Sequence, residues 1–391
     1  MNTYFTNLNK ELKNYQRAIP FLLVDLDILD QNIAVLKNSI HPKSNLRIVV
    51  KSLPSFELLQ YIMQKTSSTK LMVFHQPFLS DLASKLNNEV DILLGKPMPV
   101  KTAEYFYNNL PLQHNGFNPF TQIQWLVDTE KRIEEYISLA KKLNKKLRLN
   151  VEIDVGLHRG GFTSIESLKK GFTLIDKNKD FVEFYGFMGY DPHIVKLPRI
   201  LRSQKKSLQL ANEFYSECKR LVKKEFPELW NENLTFNGAG SPTLHLHKNN
   251  SPTNDIAAGS CLVKPTTFDI PSLQEYQPAS FIASPVLKTF INTTIPGLEL
   301  LKRFFTKDSA FIYGGFWKAD YHYPKGIKQN NLFGASTNQT MINIPKNSSL
   351  SVDDFVFLRP HQSEFVFLQF GEILPVRKGR IQKSWSLLKN R

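Results

Sequence analysis

The sequence predicts a (β/α)8 TIM-type barrel followed by a C-terminal antiparallel β domain, and three observations carry that assignment. Short apolar runs rich in β-branched residues alternate with longer amphipathic segments up to about residue 265. Eight such runs precede that point, the number a closed parallel barrel requires. Beyond it, helical periodicity fades and short β-rich runs separated by turn residues take over. An open doubly wound sheet is the alternative reading of the first part.

The runs are LRIVV (46–50), KLMVF (70–74), VDILLG (90–95), IQWLVD (123–128), LRLNVEIDVG (147–156), VEFYGFMGY (182–190) and LTFNGAG (234–240). SCLVKP (260–265) is a weaker eighth. One intervening helix takes Asp128 or Thr129 as its N-cap and places Ile133, Tyr136, Ile137, Ala140 and Leu143 on one face. Another spans 205–224, with Leu208, Ala211, Phe214, Tyr215 and Leu221 at similar spacing. Ahead of the barrel, PFLLVDLDILDQNIAVLKNSI reads as a strand and then a helix, the strand being a candidate to pair with the second domain. The expected domains are therefore 18–264 and 265–391, the latter carrying PASFIASPVLKTFI, SAFIYGGF, DFVFLRP and EFVFLQFGEILPV.

The 391 residues are 41% hydrophobic, enough for a sizeable core and too apolar for global disorder. Fifty basic against 35 acidic side chains give a formal charge of +15. The lysines are interspersed with acids, and there is no arginine-rich tail or aromatic–basic repeat, so nucleic acid is not an expected partner. Two cysteines, Cys218 and Cys261, argue against a disulfide framework and fit a reducing compartment. With no signal-like N-terminus and no bilayer-length apolar run, the expectation is a cytoplasmic protein without a membrane partner.

In such a barrel the chemistry sits at the C-terminal ends of the strands. Lys51 closes the first run; Asp154 and Arg159 follow the fifth; Tyr190, Asp191 and His193 close the sixth; NGAGS (237–241) closes the seventh. Gly238 and Gly240 would let backbone amides approach an anion, with Ser241 and Thr243 as hydroxyl donors, although a glycine cluster is also the mark of a tight turn. Lys51 reads either as a strand-end lysine reaching for solvent or as a desolvated amine able to form a Schiff base. An amine at strand one and a phosphate cradle at strand seven together point to pyridoxal 5′-phosphate (PLP), which offers an aldehyde and a phosphate on one ring.

IPFLLVDLDILDQNI, VVKS, VEIDVGLHRGGF, GFMGYDPHI, FNGAGSPT and AAGSCLVKP occur in this order from about residue 18 onward. With these motifs the chain resembles the D-threonine aldolase and D-serine dehydratase family of alanine-racemase-type (fold type III) PLP enzymes. The resemblance implies a PLP barrel with a C-terminal β domain and a homodimer. It implies that Lys51 holds the cofactor as a Schiff base and that Arg159 lies near the ring. By the same resemblance Tyr190 and His193 face the cofactor or substrate, and Gly238, Gly240 and Ser241 hold the phosphate. Tyr313, Gly314 and Gly315 are implied to line the site from the second domain. On the residues alone, Asp154 reads as a structural partner of Arg159.

The chain also departs from the family pattern. The C-terminal histidine and metal-binding partner of the better-known members are missing from GEILPVRKGRIQKSW, and Leu53 and Pro54 follow the lysine where a histidine and second lysine are usual. His361 and Glu364 in RPHQSE are spaced i, i+3, but on an extended segment they would face opposite ways, so no metal is expected. In the branch of amino-acid deaminase/aldolase proteins that the tail resembles, Gln362, Ser363 and Glu364 stand as polar groups for substrate. The expected activity is a PLP-dependent lyase acting on a D- or β-hydroxy amino acid, by retro-aldol cleavage or dehydration. An amino-acid racemase or epimerase is the alternative, and a non-catalytic PLP-binding protein a further one.

Overall fold

The computed structural model describes residues 2–110, 115–198, 200–294, 296–297, 299–301, 307–346 and 348–389. The chain separates into two compact units, one comprising Met1–Asn32, Leu262–Asp269 and Gln274–Leu387, the other Ile33–Cys261, Ile270–Leu273 and Leu388–Arg391. The strand read ahead of the barrel is β1 (Phe21–Asp25), which belongs to the first of these.

The second unit is a closed, all-parallel, eight-stranded barrel: β2 (Asn45–Val49), β3 (Lys70–Val73), β4 (Asp91–Leu94), β5 (Ile123–Val127), β6 (Leu147–Glu152), β7 (Val182–Gly189), β8 (Thr235–Gly238) and β9 (Asp255–Ala258). Seven strands fall inside the runs read from sequence, give or take a residue. The eighth does not. SCLVKP turns into a short helix, Ser260–Val263, and the closing strand is DIAA at Asp255–Ala258. A strand that opens on an aspartate and carries two alanines has no apolar signature, yet its side chain is fully paired. Asp255 accepts two hydrogen bonds from Arg47, at 2.8 and 3.0 Å.

That pair is part of a polar layer inside the barrel. Arg47 also meets Asp91 at 2.6 Å; Gln124 donates to Asp91 and to Thr235; Asn237 donates to Asp255 at 2.6 Å. The helices behave as their caps predict. Thr129 accepts from the Arg132 amide and starts the helix Glu130–Leu143, which ends on Asn144 in the left-handed region. Ser203 caps Gln204–Glu225 in the same way.

The first unit is a ten-stranded sheet. Its remaining strands are β10 (Ser280–Thr293), β11 (Lys307–Tyr313), β12 (Ala319–Tyr323), β13 (Lys328–Gln329), β14 (Gln339–Asn343), β15 (Phe355–Pro360), β16 (Glu372–Arg377), β17 (Arg380–Ile381) and β18 (Trp385–Ser386). The main path runs β13-β14-β11-β10-β1-β16-β17, and every pairing is antiparallel except that of β1 with β16. Alternation along the strands sorts the core into two faces. Phe281, Ala283, Phe355 and Phe357 join Phe5, Leu8 and Leu12 of an N-terminal helix, Asn2–Lys13. Ile282, Val356 and Leu358 pack with Ile312 and Ile342 on the other face. Among the described residues, no helix is long and apolar enough to cross a membrane.

Candidate active site at the barrel mouth

Lys51 lies in a single 3-10 turn, Val50–Ser52, that leaves β2 at the mouth. Its amine sits 4.7 Å from the centre of the Phe74 ring, at the end of β3. Phe74 in turn covers Gly95, at the end of β4: a Cβ there would stand 2.2 Å from the ring. Phe74 was not among the residues singled out from sequence. In the sequence it only closes the apolar run KLMVF.

On the other side of Lys51 the next residue, Ser52, is tied to the end of β9, its hydroxyl 2.9 Å from that of Ser260. Gly259 makes that closeness possible, because a Cβ there would come within 2.8 Å of the Val49 Cβ and 3.0 Å of the Val49 carbonyl. The glycine loop after β8 joins the same cluster through Ser241, whose Oγ accepts from the amides of Gly259 (3.4 Å) and Cys261 (3.1 Å). With both those donors occupying its lone pairs, the Ser241 proton is left to donate elsewhere. Thr243 faces the other way: it gives its proton to Asp191, 2.7 Å away, so it is not the hydroxyl donor to an anion that the sequence suggested.

Tyr190, at the end of β7, packs its ring edge where a side chain at Gly240 would be, 2.8 Å from the position of a Cβ. The Arg159 guanidinium lies over the same ring, 5.0 Å from its centre. The loops after β6, β7, β8, β9, β2 and β3 are thus linked in one arc, from Arg159 through Tyr190, Gly240, Ser241, Ser260 and Ser52–Lys51 to Phe74. The predicted Lys51, Arg159, Tyr190, Gly238, Gly240 and Ser241 all lie at strand ends of this one mouth.

His193 sits in the short helix His193–Lys196 and is buried, with Nε2 3.2 Å from where a Cβ at Gly156 would be. Its Nδ1 has no hydrogen-bond partner among the described residues. Burial draws its pKa below the ordinary histidine value, against the pull of Asp191 and Asp154. A cavity of about 500 Å³ adjoins it, lined among others by Leu197, Lys196 and Arg202.

The partner expected for Asp154 is replaced by another. Its carboxylate accepts from the amides of Gly156 (3.0 Å) and His158 (2.9 Å) and meets the His158 ring at 2.8 Å, so it organises its own turn rather than Arg159. Burial would raise its pKa, but these His158 and Gly156 contacts hold it below the usual carboxylate range. The carboxylate whose charge faces Arg159 is Glu152, the last residue of β6, which is not among the residues the sequence singles out. Burial, with Asp128 adding repulsion, pushes Glu152 up to about 7 despite the opposing attraction of Arg159. A carboxyl group titrating near neutrality at a barrel mouth is equipped to hold or release a proton.

The remaining predicted residues belong to the sheet unit. Tyr313 ends β11; Gly314 and Gly315 donate to the carbonyls of Asn338 (2.7 Å) and Ser336 (3.2 Å). Gln362 precedes the short helix Ser363–Val366, so the segment is not extended as expected, and Ser363 is fully buried. His361 is 2.9 Å from Asp320. Among the described residues there is no group of three or more His, Cys, Asp or Glu side chains placed to hold a metal ion.

The family profile of the alanine racemase N-terminal domain matches residues 24–264. No curated protein matches the chain. Several solved structures share its fold at low identity. D-threonine aldolase from Filomicrobium marinum superposes with a TM-score of 0.72 at 14% identity, covering 96% of this chain and 98% of its own. Alanine racemase from Clostridium difficile 630 gives 0.72 at 16% identity, covering 96% and 100%. D-threo-3-hydroxyaspartate dehydratase from Delftia sp. HT23 gives 0.70 at 12% identity, covering 97% and 99%.

Proposed function

Because the chain belongs to the alanine racemase N-terminal-domain family of fold type III PLP enzymes, we propose that it is a PLP-dependent lyase acting on a D- or β-hydroxy amino acid. The observation that carries this reading is the arc at the mouth, which puts a lysine amine and a glycine–serine loop on the same rim. The residues fit the cofactor. The Lys51 amine would take its aldehyde, with the face of Phe74 beside the amine and the ring edge of Tyr190 beside the loop. The loop, where a Cβ at Gly240 would meet Tyr190, together with the Ser241 hydroxyl, would take its phosphate. When bound, PLP supplies an electron sink for negative charge developing at the substrate Cα.

The chain's own residues divide the remaining work. Arg159 brings a fixed cation to the Tyr190 side of the mouth. Glu152 can carry a proton at neutral pH beside that cation, and His193 is held neutral, so either can accept a proton there. The Lys51 amine would be a further base at the mouth whenever it is not bonded to the cofactor. Lys196 and Arg202 at the cavity beside His193 suit an anionic substrate group. The roles of Tyr313, Gly314, Gln362, Ser363 and Glu364 in this reading rest on the family resemblance.

The test has two parts. Purified protein mixed with PLP should develop a visible cofactor band, borohydride should bleach it while fixing the cofactor covalently onto Lys51, and Lys51→Ala should abolish the band. No band, or a label on another residue, rejects the PLP reading. Chirally resolved products then name the reaction. An aldehyde with glycine indicates cleavage and a ketoacid with ammonia indicates dehydration, whereas an inverted amino acid would move the chain to the racemases.

A further inference from the structure

Beneath the glycine loop lies a chain of buried polar groups that the function proposed above does not use. The Gly240 amide donates to Thr243 Oγ1 (3.2 Å), and the Thr243 hydroxyl donates to Asp191 Oδ1 (2.7 Å). The other Asp191 oxygen is 2.6 Å from His247 Nε2. His247 Nδ1 is 2.7 Å from Ser251 Oγ, which is 2.8 Å from Thr253 Oγ1. The chain closes on the loop where it began, for a Cβ at Gly238 would stand 2.7 Å from Thr253 Cγ2. Asp191, Thr243, His247 and Thr253 are all at least nine-tenths buried.

Three segments meet in this chain: the loop after β7, the loop after β8, and the approach to β9. Only Asp191 and His247 in it can carry charge, and a carboxylate this deeply buried is tolerable only while its partners stay in place. Asp191 also follows Tyr190, whose ring packs on Gly240 from the mouth. The loop is therefore gripped between two neighbouring residues, one above and one below.

From this geometry we infer that the Asp191–His247 pair is a positioning device for the cofactor phosphate, setting the curvature of residues 238–243 without touching the ligand. Neither residue figures in the function proposed above, though the inference rests on that reading's assignment of the loop to the phosphate. Its effect should appear as affinity for PLP, since displacement of a preorganised site by about 1 Å is costly.

The experiment uses the full chain and PLP as the probe. His247→Gly should weaken PLP binding about tenfold or more, the scale seen when groups supporting a ligand shell are lost, and should move the 31P resonance of the bound phosphate. Added imidazole, refilling the vacated space, should restore both. Thr243→Val, which breaks the link between the loop and Asp191 without disturbing the His247 contact, should give a similar loss. The inference is overturned if a folded His247→Gly protein binds PLP with unchanged affinity and resonance. It is equally overturned if imidazole raises thermal stability alone, or if Thr243→Val binds as the wild type does. A wild-type protein that does not bind PLP at all would instead reject the functional reading, a separate and visible outcome.

Discussion

Inside the barrel, Arg47 lies between Asp255 and Asp91, and Gln124 and Asn237 complete the hydrogen bonds of both carboxylates. At the mouth, Glu152 is crowded by Asp128 and Asp154 with one exposed guanidinium to offset them, and His193 keeps an unpartnered buried nitrogen. The two levels belong to the same eight strands. In the layer, burial would raise Asp91, but Arg47 and Lys70 hold it below the ordinary carboxylate range. At the mouth, compensation is incomplete and Glu152 rises to about 7. Charge is paired below, where it fixes one arrangement of strands, and left less fully paired above. Pairing marks the structural level, and incomplete pairing the chemical one.

The sharpest way to break this contrast is to remove a partner from the paired level. Arg47→Met leaves the buried Asp255 and the partly buried Asp91 without their shared cation, and should cost about 3–5 kcal/mol in urea unfolding. If the loss is under 1 kcal/mol, the layer is not what holds the barrel. A smaller effect is expected where the two levels adjoin. Gly259→Ala pushes a methyl group against Val49 and should destabilise the chain by about 1–3 kcal/mol. It should also weaken PLP retention, because the Lys51 turn must shift; a change in stability alone would uncouple the two.

The mildest effect should come from Glu152→Gln. A carboxyl group with a raised folded-state pKa contributes stability that is fully present below its ordinary value and lost as pH rises through about 7. The wild type should therefore lose thermal stability between pH 5 and 8 relative to Glu152→Gln, by roughly 2–4 °C at the upper end. Identical pH profiles would mean that Glu152 is not strained in the folded chain.

Legibility from sequence followed the same division. Strands such as IQWLV and VEFYGFMG announce themselves because all but one residue in each is apolar, aromatic or glycine, and the lysine and glycine loop that end two of the others stand out by contrast. DIAA at 255–258 escaped because its defining residue is an aspartate whose cation lies 208 positions earlier. The helix Asn2–Lys13 escaped too, its Phe5, Leu8 and Leu12 diluted by polar neighbours and meaningful only against the aromatic face of the sheet. Glu152 and Phe74 were invisible as site residues for a related reason. Each sits in a strand-like run, and what sets it apart is a neighbour from another loop.

The stitch between Ser52 and Ser260 has a temporal consequence. Lys51 leaves the ribosome early, but the residues that brace its turn, Gly259 and Ser260, are made more than two hundred residues later. A nascent chain halted before β9 has the amine but not its brace, and the Gly259 and Cys261 amides that hold Ser241 have not yet been made. Since domains fold as units during synthesis, the proposed cofactor site should be complete only once the last barrel strand is in place, so that PLP uptake by this chain would report a closed ring.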